Sequence, residues 1–348
     1  MTTTIHPGER EGGGAPSQGA TQTTREMTFG EAINDALDIA LGSDPTVFLL
    51  GEDIADPPGG VVRLTQGLST KYGTDRVRAT PISEQAIAGA AIGAALGGLR
   101  PVAEIMLMDF MTLVMDQLVN HAAKHRYMSG GTSHLPLTVR TRIGHNRGAQ
   151  HSSSYEAWVM HAPGIKVCAP ATAQDAKGLL LSCIADDDPC LFLEPTPMVR
   201  SRRRSQVPVG DYRVPIGQAA IPVAGTDVSI ITYGQMTPAA LDAATTLADE
   251  GISAEVVDLR SLVPLDRHTV LTSVAKTRRA VVTHAAARFA GPGAEISAMI
   301  HEELFEQLER PVRRVASAST PVPFAQSLAQ IHAPSASTIA ESVREVMT

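Results

Sequence analysis

The chain has 348 residues and an apolar fraction of 43%; this length predicts two globular domains with ample core between them. Its formal net charge of -7 argues against nucleic-acid binding, and the basic run RSRRR at 200–204 is interpreted as a solvated loop. The three cysteines, Cys168, Cys183 and Cys190, lack metal-ligand spacing and are expected to be buried free thiols in a reducing compartment.

The amino-terminal segment 1–26 is rich in Thr, Gly, Ser and Gln and has no apolar run fit for a core or a signal peptide. It is predicted to be a disordered tail. The longest apolar stretch, 86–99, is too short and too rich in glycine to span a bilayer. The sequence therefore predicts a cytoplasmic protein with no membrane contact.

The first predicted domain, 27–204, opens with a helix whose apolar residues Phe29, Ile33, Leu37 and Leu41 follow helical spacing. Short apolar strands are predicted after it, with helical stretches between most of them, at 47–50, 102–106, 137–140, 166–168 and 190–193. Strands that alternate with helices indicate a parallel sheet covered by helices, so this domain is predicted to be a doubly wound α/β fold.

The pattern is interrupted at 205–226, which we interpret as a linker between domains. A second series of strands and helices then fills 227–348. Its predicted strands are 228–234, 254–260, 280–284 and 312–317, and its predicted helices are 238–249 and 294–308. The fold class is therefore α/β, with two doubly wound domains.

The segment TPISEQAIAGAAIG at 80–93 places a single carboxylate, Glu84, beside small apolar residues. A buried, unpaired carboxylate costs several kcal/mol, so Glu84 is expected either to reach a partner or to hold a proton. A simpler interpretation is that Ser83 caps a helix that begins at Glu84, where the helix dipole favours a negative charge. At this point both interpretations stand.

The helix predicted after Glu84 consists mostly of alanine and glycine, although each glycine costs about 1 kcal/mol against alanine. Its small residues are Ala86, Gly89, Ala90 and Gly93. A surface of this kind lets another backbone approach closely, which predicts a packing helix at a subunit contact.

The segments 80–131, 147–167, 293–303 and 314–324, in this order and spacing, closely resemble the beta subunit of the thiamine-diphosphate-dependent 2-oxo acid dehydrogenases. This family includes the pyruvate, branched-chain 2-oxo acid and acetoin dehydrogenase beta subunits. The resemblance covers nearly everything from residue 27 onward. It implies two transketolase-like domains, a pyrimidine-binding domain followed by a carboxyl-terminal domain.

The resemblance implies that Glu84 hydrogen-bonds N1′ of the aminopyrimidine ring of thiamine diphosphate. Sharing a proton there promotes removal of the proton from C2 of the thiazolium ring. Phe110 matches the aromatic residue of the family that contacts the aminopyrimidine ring. The residues alone favour a different interpretation, in which Phe110 is a core phenylalanine at the end of a strand.

His151 lies in the polar loop NRGAQHSSSYEAW, where a histidine can exchange a proton near neutral pH. The resemblance implies that it orients the 2-oxo acid and assists acyl transfer to a lipoyl group; the alternative is a surface histidine. Ser153 stands where the family often has glutamine, which leaves the substrate open. After His284, Ala285 stands where the family often has glutamate.

The chain contains no Asp-Gly pair, whereas the family holds Mg²⁺ and the diphosphate with a Gly-Asp-Gly segment and a later asparagine. The resemblance therefore implies an alpha subunit that holds Mg²⁺ and shares the thiamine diphosphate in an α2β2 tetramer. It also admits a structural K⁺ ion. No metal-ligand set is predicted within this chain: His121 and His125 have compatible spacing but lack a third ligand.

Three functions follow from these features. The first is the beta subunit of a 2-oxo acid dehydrogenase complex that passes an acyl group to the lipoyl-bearing acyltransferase core. The second is a subunit of an acetoin-cleaving or carboligating enzyme. The third is a non-catalytic scaffold, against which the retention of Glu84, Phe110 and His151 argues.

Overall fold

The computed structural model describes residues 23–144 and 148–348, whose strands form three sheets. The strands are β1 (Thr24–Met27), β2 (Val47–Glu52), β3 (Val77–Thr80), β4 (Arg100–Leu107), β5 (Thr138–Ile143), β6 (Lys166–Cys168), β7 (Cys190–Pro195), β8 (Ser205–Pro208), β9 (Ala220–Val223), β10 (Val228–Thr232), β11 (Ala254–Asp258), β12 (Ser261–Val263), β13 (Ala280–Ala287) and β14 (Arg313–Ser317).

The α-helices of the same residues are α1 (Phe29–Ser43), α2 (Leu68–Tyr72), α3 (Glu84–Leu96), α4 (Met111–Met115), α5 (Ala123–Met128), α6 (Glu156–Met160), α7 (Ala173–Ala185), α8 (Thr196–Val199), α9 (Thr237–Asp249), α10 (Arg267–Thr277), α11 (Pro292–Leu304), α12 (Gln326–His332) and α13 (Ala336–Met347). A π-helical segment, Asp116–Ala122, joins α4 to α5. In the described part of the chain, no helix has both the length and the apolar character needed to cross a bilayer.

The largest sheet has the strand order β12-β6-β7-β5-β4-β2-β3, and all its neighbours run parallel except β12. Successive residues of a strand point to opposite faces, so Leu49 joins the core under α1 and α7 while Leu50 joins the core under α3. A capping box at Thr28 and Glu31 fixes the start of α1. The predicted parallel α/β domain is confirmed.

The second sheet has the order β14-β13-β10-β11-β9, with β9 antiparallel to β11. The helices α9 and α13 cover one face. The other face, with α10 and α11, belongs to the same apolar cluster as α3 and the first sheet. The two domains therefore share one continuous core.

The structure differs from the predicted domain boundaries in two places. Thr24–Met27 forms β1 and pairs with β8, whereas the tail was expected to reach residue 26; the rest of that tail, 1–22, lies outside the described residues. The expected linker 205–226 contains β8 and β9. Both strands pair at a sheet edge, where a half-polar sequence suffices because only one face is covered.

Asp258, the last residue of β11, lies buried at the contact between the two domains. Burial, together with the nearby carboxylate of Asp175, raises its pKa to about 7. Arg260 forms an ion pair with Asp175 across this contact, with 2.8 Å between Nη2 and Oδ1. A buried acid therefore gains a proton near neutral pH at the contact between the domains.

Stability is expected to fall as pH rises from about 4 to about 7, because folded Asp258 then holds a proton that the unfolded chain has lost. Below this window both states are protonated, and above it both are ionised. Asp258→Asn should remove this part of the pH dependence of the unfolding free energy, which amounts to up to about 4 kcal/mol across the window. Urea unfolding across the pH range measures it, with the exposed Asp249→Asn as control; equal slopes in all three proteins would contradict the assignment.

Candidate active site

The predicted site residues follow the carboxyl ends of neighbouring parallel strands. Glu84 comes four residues after β3 ends, Phe110 three residues after β4 ends, and His151 lies in the loop after β5. These strands lie in the order β3-β2-β4-β5, so their carboxyl ends share one edge of the sheet. Ligands of open α/β sheets bind at such an edge, outside the strand ends.

Glu84 is the first residue of α3, and its exposed fraction is only 7%. The predicted helix start is therefore confirmed. Ser83 occupies the cap position, but its side chain makes no capping hydrogen bond. The start of α3 thus carries a nearly buried carboxylate without the expected side-chain cap before it.

Glu52, the last residue of β2, is a buried neighbour of Glu84 that the sequence analysis missed. Its Oε1 atom has no hydrogen-bond partner among the described residues. Burial raises its pKa, and the nearby carboxylates of Glu84, Asp53 and Glu104 raise it further. The site therefore holds, beside Glu84, a buried carboxyl group whose pKa is raised.

A buried arginine compensates part of this negative charge. Arg140 on β5 lies 2.6 Å (Nη2 to Oε1) from Glu194 and 3.4 Å (Nη1 to Oε2) from Glu104. Arg140 and Glu194 are 1% exposed, so this ion pair is shielded from water. With Glu104 paired to Arg140, the carboxyl groups of Glu52 and Glu84 are the ones left to act on a ligand.

Phe110 and His151 are brought together, with 6.0 Å between ring centroids and an angle of 84° between ring planes. Phe110 is half-buried and packs against the shared core, so part of its ring serves the core and part remains available. His151 is also half-buried, in the 3-10 turn Ala149–His151. Neither residue is a freely exposed surface side chain.

His284 lies in the second domain, fully buried, with its ring stacked on Tyr233 at 6.1 Å. Tyr233 in turn donates a hydrogen bond of 2.8 Å to Glu156 of the first domain. Burial lowers the pKa of His284 to about 4 and raises that of Glu156. These groups form a buried contact between the domains, and the neighbouring Ala285 adds no charge to it.

The residues present fit one half of the cofactor that the resemblance implies. A nearly buried carboxylate at Glu84 can accept a hydrogen bond from a ring nitrogen, and the half-buried ring of Phe110 can contact an aromatic ring. Among residues 23–144 and 148–348, no group of three His, Cys, Asp or Glu side chains lies close enough to hold a metal ion.

The comparisons with protein families match both domains. The family described as "Transketolase, pyrimidine binding domain" matches residues 25–202, and "Transketolase, C-terminal domain" matches residues 217–339. A solved structure titled "Split gene transketolase, inactive beta4 tetramer" superimposes with a TM-score of 0.75 at 24% identity. It covers 92% of this chain and 98% of that one. This likeness confirms the fold.

Curated relatives are similar over most of the chain. The acetoin:2,6-dichlorophenolindophenol oxidoreductase subunit beta of Cupriavidus necator is 44% identical over 93% of this chain and 98% of its own length. The pyruvate dehydrogenase E1 component subunit beta of Bacillus subtilis is 44% identical over 92% and 99%. The mitochondrial 2-oxoisovalerate dehydrogenase subunit beta of Chaetomium thermophilum is 47% identical over 88% and 66%.

Proposed function

Because this chain belongs to the beta subunits of the thiamine-diphosphate-dependent 2-oxo acid dehydrogenases, we propose that it decarboxylates a small 2-oxo acid together with an alpha subunit. The observation that carries the proposal is Glu84, a nearly buried carboxylate at a strand-end edge, next to the buried carboxyl group of Glu52. A carboxylate that serves only as the favourable charge at a helix start needs neither burial nor a neighbouring carboxyl group.

In this proposal Glu84 binds the ring nitrogen N1′ and Phe110 contacts the aminopyrimidine ring. When bound, thiamine diphosphate supplies an electron sink for cleavage of the bond beside the 2-oxo carbon. The carboxylate of Glu84 holds or releases a proton at N1′, and its burial strengthens that coupling because little water competes. Burial and the nearby carboxylates raise the pKa of Glu52 next to it, which lessens the negative charge that opposes Glu84.

His151 acts on the substrate in this proposal. Its half-buried imidazole, edge-on to Phe110, can donate or accept a proton near the reacting carbon and can orient the 2-oxo acid. We assign it a second part in passing the acyl group to a lipoyl domain of the acyltransferase core. The three buried free thiols support a reducing compartment such as the cytoplasm for this assembly.

The other half of the cofactor site belongs to the alpha subunit in this proposal. That subunit holds Mg²⁺ and the diphosphate in an α2β2 tetramer, which leaves this chain the pyrimidine half; a structural K⁺ ion is compatible with the assembly. The isolated chain is therefore expected neither to bind thiamine diphosphate tightly nor to decarboxylate 2-oxo acids. Titration calorimetry with Mg²⁺ present measures this directly.

The same titration with the reconstituted alpha and beta subunits serves as the positive control. Tight binding should appear only in the reconstituted protein, together with CO2 release from a 2-oxo acid. Micromolar, Mg²⁺-dependent binding by this chain alone would overturn the two-subunit site.

The helix α3 offers a second test of the assembly. Gly89 and Gly93 lie exposed on it, and a methyl group added to either would meet no atom within 4 Å in this chain. Gly89→Leu should therefore leave folding intact, and should stabilise the helix by roughly 1 kcal/mol. Because the small surface is predicted to contact another subunit, the same change should block assembly with the alpha subunit.

Thermal melts and size-exclusion chromatography with the alpha subunit separate the two effects. Ala248→Leu, at an exposed position of α9, is the matched control for added bulk. Normal tetramer formation by Gly89→Leu would show that this surface lies outside the subunit contacts.

An acetoin-cleaving enzyme is the second candidate, favoured by the likeness to the Cupriavidus necator subunit over 98% of that subunit's length. A panel of 2-oxo acids and acetoin, tested on the reconstituted protein, distinguishes the two. Activity with acetoin alone would select the second candidate, and activity with neither would favour a scaffold.

A further inference from the structure

A hydrogen-bonded pair joins the two segments that carry Phe110 and His151. The carboxylate of Asp109 accepts a hydrogen bond of 2.5 Å from the hydroxyl of Ser153 through Oδ1. Its other oxygen, Oδ2, accepts one of 3.3 Å from the backbone N–H of Ser153. Both carboxylate oxygens of Asp109 thus bind one residue, in a two-point contact whose O–H···O distance matches a charge-assisted bond.

Asp109 and Ser153 lie in two different segments of the first domain. Asp109 lies in the 3-10 turn Met108–Phe110. The residue before it, Met108, is fully buried, and the residue after it, Phe110, is half-buried. Ser153 comes two residues after His151, and its carbonyl accepts a long hydrogen bond, 3.4 Å, from Gly144. The carboxylate therefore joins a turn that begins at a buried residue to the loop that carries His151.

We propose that Asp109 and Ser153 are a positioning pair that fixes the His151 imidazole against the edge of Phe110. Ser153 lies two residues after His151 and Asp109 lies directly before Phe110, so the contact joins the two segments whose rings meet at 6.0 Å. Neither Asp109 nor Ser153 is placed on the cofactor or the substrate. The proposal rests on the function proposed above, because it assigns these residues to the orientation of its acid and base.

Loss of the hydrogen bonds between Asp109 and Ser153 releases the loop from Asp109. It removes no group that is assigned to the cofactor. Small displacements of a catalytic group carry large rate penalties, so Ser153→Ala should lower kcat of the reconstituted enzyme about ten-fold. Its affinity for thiamine diphosphate should stay within about two-fold, because Glu84 and Phe110 are unchanged. Ser153→Thr, which keeps a hydroxyl, should retain most of the turnover.

A double-mutant cycle tests whether the two residues act as one unit. Ser153→Ala in an Asp109→Ala background should cause no further loss of kcat, because the contact is already gone. Ser154→Ala is the matched control, since its hydroxyl makes no described hydrogen bond to Asp109 and it lies in the same loop. Additive losses in the cycle would overturn the proposal.

A readout independent of turnover comes from the histidine ring resonances of the folded chain, with His151 assigned by its loss in His151→Gln. Ser153→Ala should shift or broaden the His151 signal, and Ser154→Ala should leave it in place. An unchanged His151 signal and unchanged kcat in Ser153→Ala would refute the positioning pair while the proposed function stands. Absence of 2-oxo acid turnover by the wild-type tetramer would instead refute the proposed function.

Discussion

Glu84→Gln is expected to slow exchange of the C2 proton of bound thiamine diphosphate by about two to four orders of magnitude in the reconstituted enzyme. The change keeps the size of the side chain and the start of α3, but it removes the carboxylate that shares a proton with N1′. Exchange of C2 into deuterated water, followed by NMR after acid quench, measures this step without the rest of the reaction.

The helix-start interpretation predicts a different result for the same variant. Loss of a charge from the first turn of α3 would lower stability by about 0.3–1 kcal/mol and leave the exchange rate unchanged. Glu341→Gln, at an exposed position of α13, removes one carboxylate far from the strand ends and serves as control. Wild-type exchange in Glu84→Gln would refute the role of Glu84.

His151→Ala is expected to reduce turnover and reductive acylation of the lipoyl domain by about 10² to 10⁴, the usual contribution of a positioned acid or base. The affinity for thiamine diphosphate should remain within a few fold, because the imidazole is assigned to the substrate. Single-turnover acylation and cofactor titration of the same preparation give both quantities.

Thermal melts of the same variant distinguish the remaining interpretations of His151. A surface histidine would leave every quantity unchanged, as expected for the exposed His268→Ala on α10. A purely structural histidine would lower stability and cofactor affinity together. Only the assigned role lowers the rate while leaving the melt and the cofactor affinity near wild type.

The strands that the sequence predicts best are those buried on both faces. Val47–Glu52 begins with four apolar residues and Val228–Thr232 is buried throughout, because helices cover both sides of these strands. The missed strands lie at sheet edges: β3 buries only its first residue, Val77, and β12 has only three residues. Edge strands need little apolar sequence, so their existence depends on which neighbour offers hydrogen bonds.

The sequence predicts the candidate site only where a residue of unusual type lies close to the end of a strand. Glu84 stands out in the sequence as a candidate because a carboxylate among small apolar residues is unusual. Glu52 ends an ordinary strand and does not stand out, although it also lies at a strand end. The contact between Asp109 and Ser153 joins positions 44 residues apart. Only the folded chain brings such a pair together.

The strand β12 has a consequence for how this chain could be divided. It belongs by sequence to the second half, yet it completes the first sheet by pairing with β6. A gene split anywhere in 205–226 would leave the first fragment with an unprotected strand edge and half of an apolar core, which are conditions for aggregation. We therefore expect the two halves to fold more stably together than apart, although each also has an apolar cluster of its own.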